Sequence, residues 1–221
     1  MALRRIVFIR PGETDWNLVG RFQGWLAIPL NELGQQQALR LGNFVRNLGM
    51  TRLYSSDLRR ARDTAEILCA TLNFKPIYDK RLREQHVGIW QGLTVPEMHG
   101  WYAEEYARMQ ADVDGYQIKK GESRDDVRKR VTEAVVEYIE KADGDSDEVI
   151  GILSHTTAIR LLLRDLVPEA NLNHAHFGNT SVTTLKRRDD GGWELVATND
   201  LMHLEGLESR YMPNDMRGDL E

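Results

Sequence analysis

The chain has 221 residues, of which 41% are hydrophobic and 29% are charged, proportions typical of a folded globular protein. A chain of this length can bury one sizeable core without a second domain. Its formal net charge of −5 argues against nucleic-acid binding, which needs a basic face. No stretch approaches the roughly 20 apolar residues of a membrane span, so no membrane association is expected.

The cysteine content and the N-terminus predict the compartment. The single cysteine, Cys69, excludes an internal disulfide, and its apolar neighbours predict a buried helix position. The first residues contain too short an apolar run for a signal-peptide core. We therefore expect a cytoplasmic protein.

Short apolar runs alternate with helical patterns in the first half of the chain. Residues 6–9 are continuously apolar, which predicts a buried strand, and residues 31–48 place apolar side chains at helical spacing. A second strand is predicted at 52–54, and a third at 75–78. Between them, Ser55, Ser56 and Asp57 are expected to cap a helix that runs to about residue 72.

The second half repeats this alternation and closes with a hairpin. A helix is predicted at 124–141, a strand at 148–153, a helix from there to residue 166, and a hairpin from 181–186 and 193–197. Alternating strands and helices predict an α/β fold, a three-layer sandwich whose central, mainly parallel sheet has helices on both faces. We expect one domain over residues 1–204 and a C-terminal tail over 205–221.

The segment 93–118 interrupts the alternation and is expected to cover a pocket. It carries apolar residues that could form one helix face, for which packing against the body is favoured over substrate contact. These residues are Met98, Trp101, Tyr102, Tyr106 and Met109.

Polar residues of related chemistry follow the ends of four predicted strands. Arg10, Arg60, Glu84 and His155 come shortly after these ends, where ligands bind in sheets of this kind. The planar guanidinium of arginine matches phosphate oxygens, and a helix that starts just after His155 would add backbone N–H donors. Each residue alone is more often a solvated or structural group. Their coincidence at strand ends predicts a phosphate-ester pocket.

Several motifs follow one another in the order found in a known family. They are Arg10-Pro11-Gly12-Glu13 with Trp16-Asn17, then 20–25, 29–34, 55–61, Leu82-Arg83-Glu84 with 88–92, Gly121-Glu122-Ser123 and Ser154-His155. Over about residues 4–204 the sequence resembles the histidine phosphatase superfamily, in its phosphoglycerate-mutase-like branch.

The resemblance implies a role for each matched residue. Glu84 would protonate the leaving alcohol and later activate water, and His155 would stabilise charge on the phosphoryl group. The residues implied to bind phosphate or to line the rim are Arg10, Asn17, Gln23, Gly24, Arg60 and His155. The implied ligand is a small-molecule phosphate ester or inorganic phosphate, without a cofactor. A homodimer is compatible with the resemblance, although no segment specifies one.

One position departs from the family pattern. The nucleophilic histidine of the family lies between the arginine and the glycine, and here that position is Pro11. Proline has no side-chain nitrogen that could accept a phosphoryl group, and it has no backbone N–H. We therefore expect hydrolysis through a phosphohistidine to be abolished or strongly reduced. The proline is compatible with a natural pseudoenzyme, with an introduced substitution or with a sequence error.

Two rival functions stay open beside this inactive phosphate-binding protein. One is an active enzyme that recruits another nucleophile or attacks with water directly, and the other is a non-catalytic binding or regulatory module. Phosphoglycerate mutases carry adjacent arginines within the segment 93–118, whereas this chain has only Arg108 there, which favours a phosphatase-type ancestor. His174 and His176 lack the further ligands that a metal site needs, so no metal is expected.

Overall fold

In the computed structural model of the chain, which describes residues 3–145 and 149–207, six strands form one sheet. The strands are β1 (Arg5–Ile9), β2 (Arg52–Ser55), β3 (Ile77–Tyr78), β4 (Val149–Leu153), β5 (Val182–Arg187) and β6 (Trp193–Asp200). Their order is β3-β2-β4-β1-β5-β6. Neighbours among β1 to β4 pair in parallel, whereas β5 pairs antiparallel with both β1 and β6. The mainly parallel sheet predicted from the sequence is confirmed.

Helices cover both faces of this sheet. They are α1 (Asp15–Leu18), α2 (Glu32–Val45), α3 (Arg59–Leu72), α4 (Val95–Trp101), α5 (Ala103–Ala111), α6 (Arg124–Asp145) and α7 (Thr156–Leu166). Because successive side chains of a strand point to opposite faces, β1 supplies two cores. Ile6 and Phe8 belong to the core formed with α6 and α7, and Val7 and Ile9 to the core formed with α2 and α3. This is the predicted three-layer sandwich.

Two elements differ from their predictions near β2. The strand expected at 75–78 covers only Ile77–Tyr78. The helix α3 has Leu58 as its N-cap and no side-chain cap, so the cap predicted from Ser55, Ser56 and Asp57 is wrong. The Ser56 hydroxyl instead accepts a hydrogen bond from the Leu58 backbone N–H, at 3.3 Å, and contacts His155.

The covering segment forms two helices and its own small core. Met98 and Met109 are buried in this core together with Val87 and Trp90 of the preceding loop, which agrees with the expected packing. Trp101 is an exception, because its side chain is 68% exposed. The backbone leaves helical geometry at Tyr102, so residues before and after that point do not share one continuous face.

The remaining predictions concern single features. Cys69 is buried as expected, and burial raises the pKa of its thiol to about 12, which disfavours the reactive thiolate. Within the described ranges, no helix combines the length and the apolar character needed to cross a membrane. Residues 208–221 of the predicted tail lie outside the described residues.

Candidate functional site

One cavity brings together all eight residues that the sequence singled out. They lie in the segments of the chain that follow β1, β2, β3 and β4. They are Arg10, Pro11, Asn17, Gln23, Gly24, Arg60, Glu84 and His155. The residues predicted to form one pocket therefore do share one cavity, and their chemical roles follow from the contacts below.

The loop after β1 packs closely against the backbone of α2. A Cβ atom at Gly12 would lie 2.5 Å from the carbonyl oxygen of Gly34, so only glycine fits there. The Pro11 carbonyl accepts hydrogen bonds from the Thr180 backbone N–H, at 3.1 Å, and from Asn179 Nδ2, at 3.2 Å. These contacts use only the carbonyl of position 11, so the N–H that proline lacks is not needed for them.

Arg60 places a positive charge in the wall of the cavity. Arg60 is only 6% exposed. Its Nη2 donates to the Gly24 carbonyl at 3.1 Å, whereas its Nη1 has no hydrogen-bond partner among the described residues. Burial lowers the pKa of Arg60 to about 10, with Glu84 opposing this shift and Arg10 adding to it. The guanidinium therefore stays charged at neutral pH. A buried cation with an unused donor is suited to binding an anion.

We predict that Arg60→Met weakens the binding of orthovanadate or inorganic phosphate by roughly 10- to 100-fold, since a hydrogen bond to a charged group contributes about 1.5–3 kcal/mol. The measurement is the ligand-dependent rise in melting temperature. Arg59→Met is the matched control, because Arg59 is exposed and pairs with Asp63 at 2.8 Å. Equal affinity in both variants would remove Arg60 from the site.

Asn17 is oriented by a chain of hydrogen bonds. Gln23 Nε2 donates to Thr14 Oγ1 at 2.9 Å, and Thr14 Oγ1 donates to Asn17 Oδ1 at 2.9 Å. Asn179 Nδ2 also approaches Asn17 Oδ1, at 3.4 Å. Since the Asn17 oxygen is engaged, its amide N–H group is the part available to a ligand. Gln23 thus acts on the site by orienting Thr14 and Asn17.

His155 is held as a neutral imidazole. It is 3% exposed, and its pKa lies well below the ordinary value because of burial and, to a lesser extent, the charges of Arg60, Arg10 and Arg130. Its Nε2 lies 2.8 Å from Ser56 Oγ, which already accepts from Leu58. When the Ser56 hydroxyl donates to Nε2, the imidazole proton is placed on Nδ1. A neutral His155 can then donate to a phosphoryl oxygen from Nδ1.

The neutral state of His155 predicts a dependence of stability on pH. Unfolded histidine takes up a proton near pH 6.5, whereas buried His155 does not until the pH is much lower. The unfolded chain therefore binds more protons below pH 6.5, and stability falls as the pH falls, by up to about 1.4 kcal/mol per pH unit from this group. We expect His155→Gln to flatten the slope of unfolding free energy between pH 6.5 and 5. His99→Gln, at an exposed histidine that does not line the cavity, is the control substitution.

The Glu84 carboxylate is held by backbone donors. Gln85 N–H donates to Oε1 at 2.7 Å, and Thr157 N–H, in the first turn of α7, donates to Oε2 at 3.1 Å. One of the N–H groups expected at the start of this helix is therefore used by Glu84. Arg130 fixes the same segment, since its Nη2 donates to the Glu84 carbonyl at 2.9 Å and its Nε pairs with Glu122 at 2.9 Å.

Several contributors to this site were not among the eight predicted residues. Arg124, Asn179, Thr156 and Thr157 also line the cavity, and Ser56 lies behind His155. The adjacency of Thr156 to His155 and the N-terminal place of Arg124 on a predicted helix were the available signals. Asn179 had none, because it reaches the site only through the packing of the loop before β5.

Glu13 and Arg83, which belong to the sequence motifs, do not line the cavity. Glu13 is 1% exposed, and its Oε1 accepts from Asn31 Nδ2 at 3.0 Å. Arg83 forms an ion pair with Asp57 at 2.6 Å and lies over the ring of Trp25. Both are structural residues that fix the loops around the site. In the described part of the chain, no group of three His, Cys, Asp or Glu residues could hold a metal ion.

Fold and site together define an α/β protein whose sheet ends in a pocket suited to anions. Residues 6–201 match the model of the histidine phosphatase superfamily (branch 1), and the chain belongs to this superfamily. The resemblance inferred from the motifs is confirmed. A curated relative, phosphoglycerate mutase-like protein 4 from Arabidopsis thaliana, is 34% identical over 221 residues, covering 97% of this chain and 92% of the relative.

Two solved structures share the fold closely. A mycobacterial glucosyl-3-phosphoglycerate phosphatase in complex with VO3 is 35% identical, with a TM-score of 0.78, over 89% of this chain and 99% of that chain. A mutant of phosphoserine phosphatase from Entamoeba histolytica, with histidine replaced by alanine and phosphoserine bound, is 28% identical. Its TM-score is 0.77, over 90% of this chain and 98% of that chain.

Proposed function

We propose that this protein binds small phosphomonoesters but does not hydrolyse them through a phosphohistidine. The observation that carries the proposal is that Pro11 lines the same cavity as Arg10, Arg60 and His155. The groups predicted to bind phosphate thus share one cavity, and the side chain at the position of the family's nucleophile cannot form a bond to phosphorus.

The binding half of the proposal is supported by charge and by donors. Arg60 has an unused donor, the Asn17 amide N–H is available, and neutral His155 can donate from Nδ1. Preorganised donors of this kind stabilise a phosphate dianion without reorganisation of the protein. The mutant phosphoserine phosphatase, in which one histidine is replaced by alanine, still has phosphoserine bound. This complex supports the binding of a phosphomonoester by a protein of this fold without the replaced histidine.

The inactive half of the proposal is supported by the serine and threonine hydroxyls at the site, none of which is an activated nucleophile facing the cavity. The Ser56 hydroxyl lies behind His155 and does not line the cavity. Thr156 and Thr157 do line it, but neither hydroxyl has a described hydrogen bond to a base that could activate it. Direct attack by water with Glu84 as the base is an alternative active route, and it retains none of the advantage of covalent catalysis.

The test measures binding and turnover by the unaltered chain. Orthovanadate and inorganic phosphate should raise the melting temperature, while a generic phosphomonoester should be hydrolysed no faster than by the heat-treated protein. Robust turnover that is lost with His155→Ala would instead establish an enzyme with another nucleophile. If there is no turnover and neither ligand raises the melting temperature, the result would favour a module that acts through its surface. A cytoplasmic location and a homodimer stay predictions.

A further inference from the structure

A further arginine, Arg124, lines the cavity beside the predicted phosphate-binding residues. It is the first residue of α6, directly after Ser123, whose hydroxyl accepts from the Asp126 N–H at 3.1 Å and so caps the helix. A cation is unfavourable at this end of a helix, because the helix dipole is positive there. Neither helix formation nor capping accounts for an arginine at this position.

The Arg124 guanidinium lacks a close acidic partner. Within residues 3–145 and 149–207 it forms no hydrogen bond and no salt bridge, although Asp114 and Glu84 lie near enough to oppose the lowering of its pKa by burial. Asp114 pairs with Arg164 at 2.9 Å, and the Glu84 carboxylate accepts from two backbone N–H groups. Both acids are therefore already engaged, and an anionic ligand is the partner that Arg124 lacks.

Arg124 also lines a second cavity that lies next to the first one. The two cavities share Met109, Val113 and Arg124, and the second is lined further by Arg160 and Arg164. The shared apolar side chains can contact the carbon skeleton of a ligand whose phosphate is bound near Arg60. A second charged group on that skeleton would then meet Arg124.

We propose that Arg124 determines specificity by binding an anionic group, a carboxylate or a second phosphate, on the alcohol part of the phosphomonoester. The proposal rests on the proposed function, since it requires the phosphate to be bound by Arg10 and Arg60. It assigns this protein to phosphorylated acids or bisphosphates and not to neutral sugar or alcohol phosphates. Arg124 presents a planar pair of donors that suits either anion.

The test uses ligand pairs that differ in one charged group. Calorimetry would compare 3-phosphoglycerate with glycerol 3-phosphate, which has CH2OH in place of the carboxylate, and fructose 1,6-bisphosphate with fructose 6-phosphate. In at least one pair, we expect the ligand that carries the additional charged group to bind roughly 10- to 100-fold more tightly than its partner. The first pair reports on a carboxylate, and the second on a phosphate.

Arg124→Gln should abolish that preference while leaving the affinity for glycerol 3-phosphate and inorganic phosphate within about twofold. Arg128→Gln, one turn further along α6 in an exposed ion pair with Asp165 at 2.7 Å, should leave the preference intact. Equal affinities within both pairs, a preference that survives Arg124→Gln, or an equal loss for every ligand would overturn the role of Arg124. If inorganic phosphate itself does not bind, the proposed function fails instead.

Discussion

Pro11→His is expected to produce phosphomonoesterase activity that the unaltered chain lacks. Removing a catalytic nucleophile can cost on the order of 10⁶-fold in turnover, so restoring one should raise kcat by roughly 10³- to 10⁶-fold. The side chain at position 11 lines the cavity, which gives an imidazole space beside Arg10 and Arg60. The hydrogen bonds described at position 11 use its carbonyl and do not require proline. Steady-state hydrolysis of 4-nitrophenyl phosphate measures the change.

Pro11→Ala is the matched control for this gain. It removes the ring without adding a nitrogen, so it should stay inactive while binding orthovanadate as the unaltered chain does. A phosphorylated intermediate that is stable in alkali and labile in acid should accumulate only in Pro11→His. Activity of similar size in Pro11→Ala and Pro11→His would mean that the ring blocks the site sterically, and that the nucleophile is another group.

Glu84→Gln, placed in the active Pro11→His background, is expected to lower kcat by roughly 10²- to 10⁴-fold with an alkyl phosphate. General acid catalysis contributes about this factor, and glutamine cannot supply a proton to the leaving alkoxide. Two backbone N–H groups hold the Glu84 carboxylate at fixed geometry. Glutamine keeps the oxygen that can accept one of them, so the fold should survive the change.

The nature of the leaving group separates an acid from a merely structural residue. A 4-nitrophenolate leaves without protonation, so the first step of Pro11→His/Glu84→Gln should stay fast with the aryl ester. The slow second step should then give a burst of about one 4-nitrophenol per protein, since the water that attacks the phosphohistidine also needs a base. An equal loss with alkyl and aryl esters, without a burst, would show that Glu84 only supports the structure.

The sequence was most informative where a local pattern has a single structural solution. The apolar run at 6–9 had to be a buried strand, and the residues directly after it had to reach the edge where ligands bind. Arg10, Arg60, Glu84 and His155 could be grouped on this basis, together with the motif order of the family. Helix caps were less predictable, because a serine has several hydrogen-bonding uses. Ser56 contacts His155 and does not cap α3 through its side chain.

Contacts between segments far apart in the chain could not be predicted in this way. Trp101 shares the spacing of a buried helix face, yet the backbone leaves the helix at Tyr102 and exposes it. Asn179 reaches Pro11 across 168 positions of sequence, and Thr157 holds Glu84 across 73. No local pattern encodes such pairs, because each partner alone satisfies the rules of an ordinary loop or helix.

By itself, the sequence determined the layered fold through strand and helix periodicity. Its motifs, which resemble those of the histidine phosphatase superfamily, gave the phosphate-binding candidates and the proline at the position of the family's nucleophile. Only the tertiary structure decided which arginines of the chain line the cavity. Arg59 and Arg83 are neutralised by Asp63 and Asp57, whereas Arg60 and Arg124 line the cavity. The physical reason is that packing sets the distance from each guanidinium to the cavity and to the carboxylates of the folded chain.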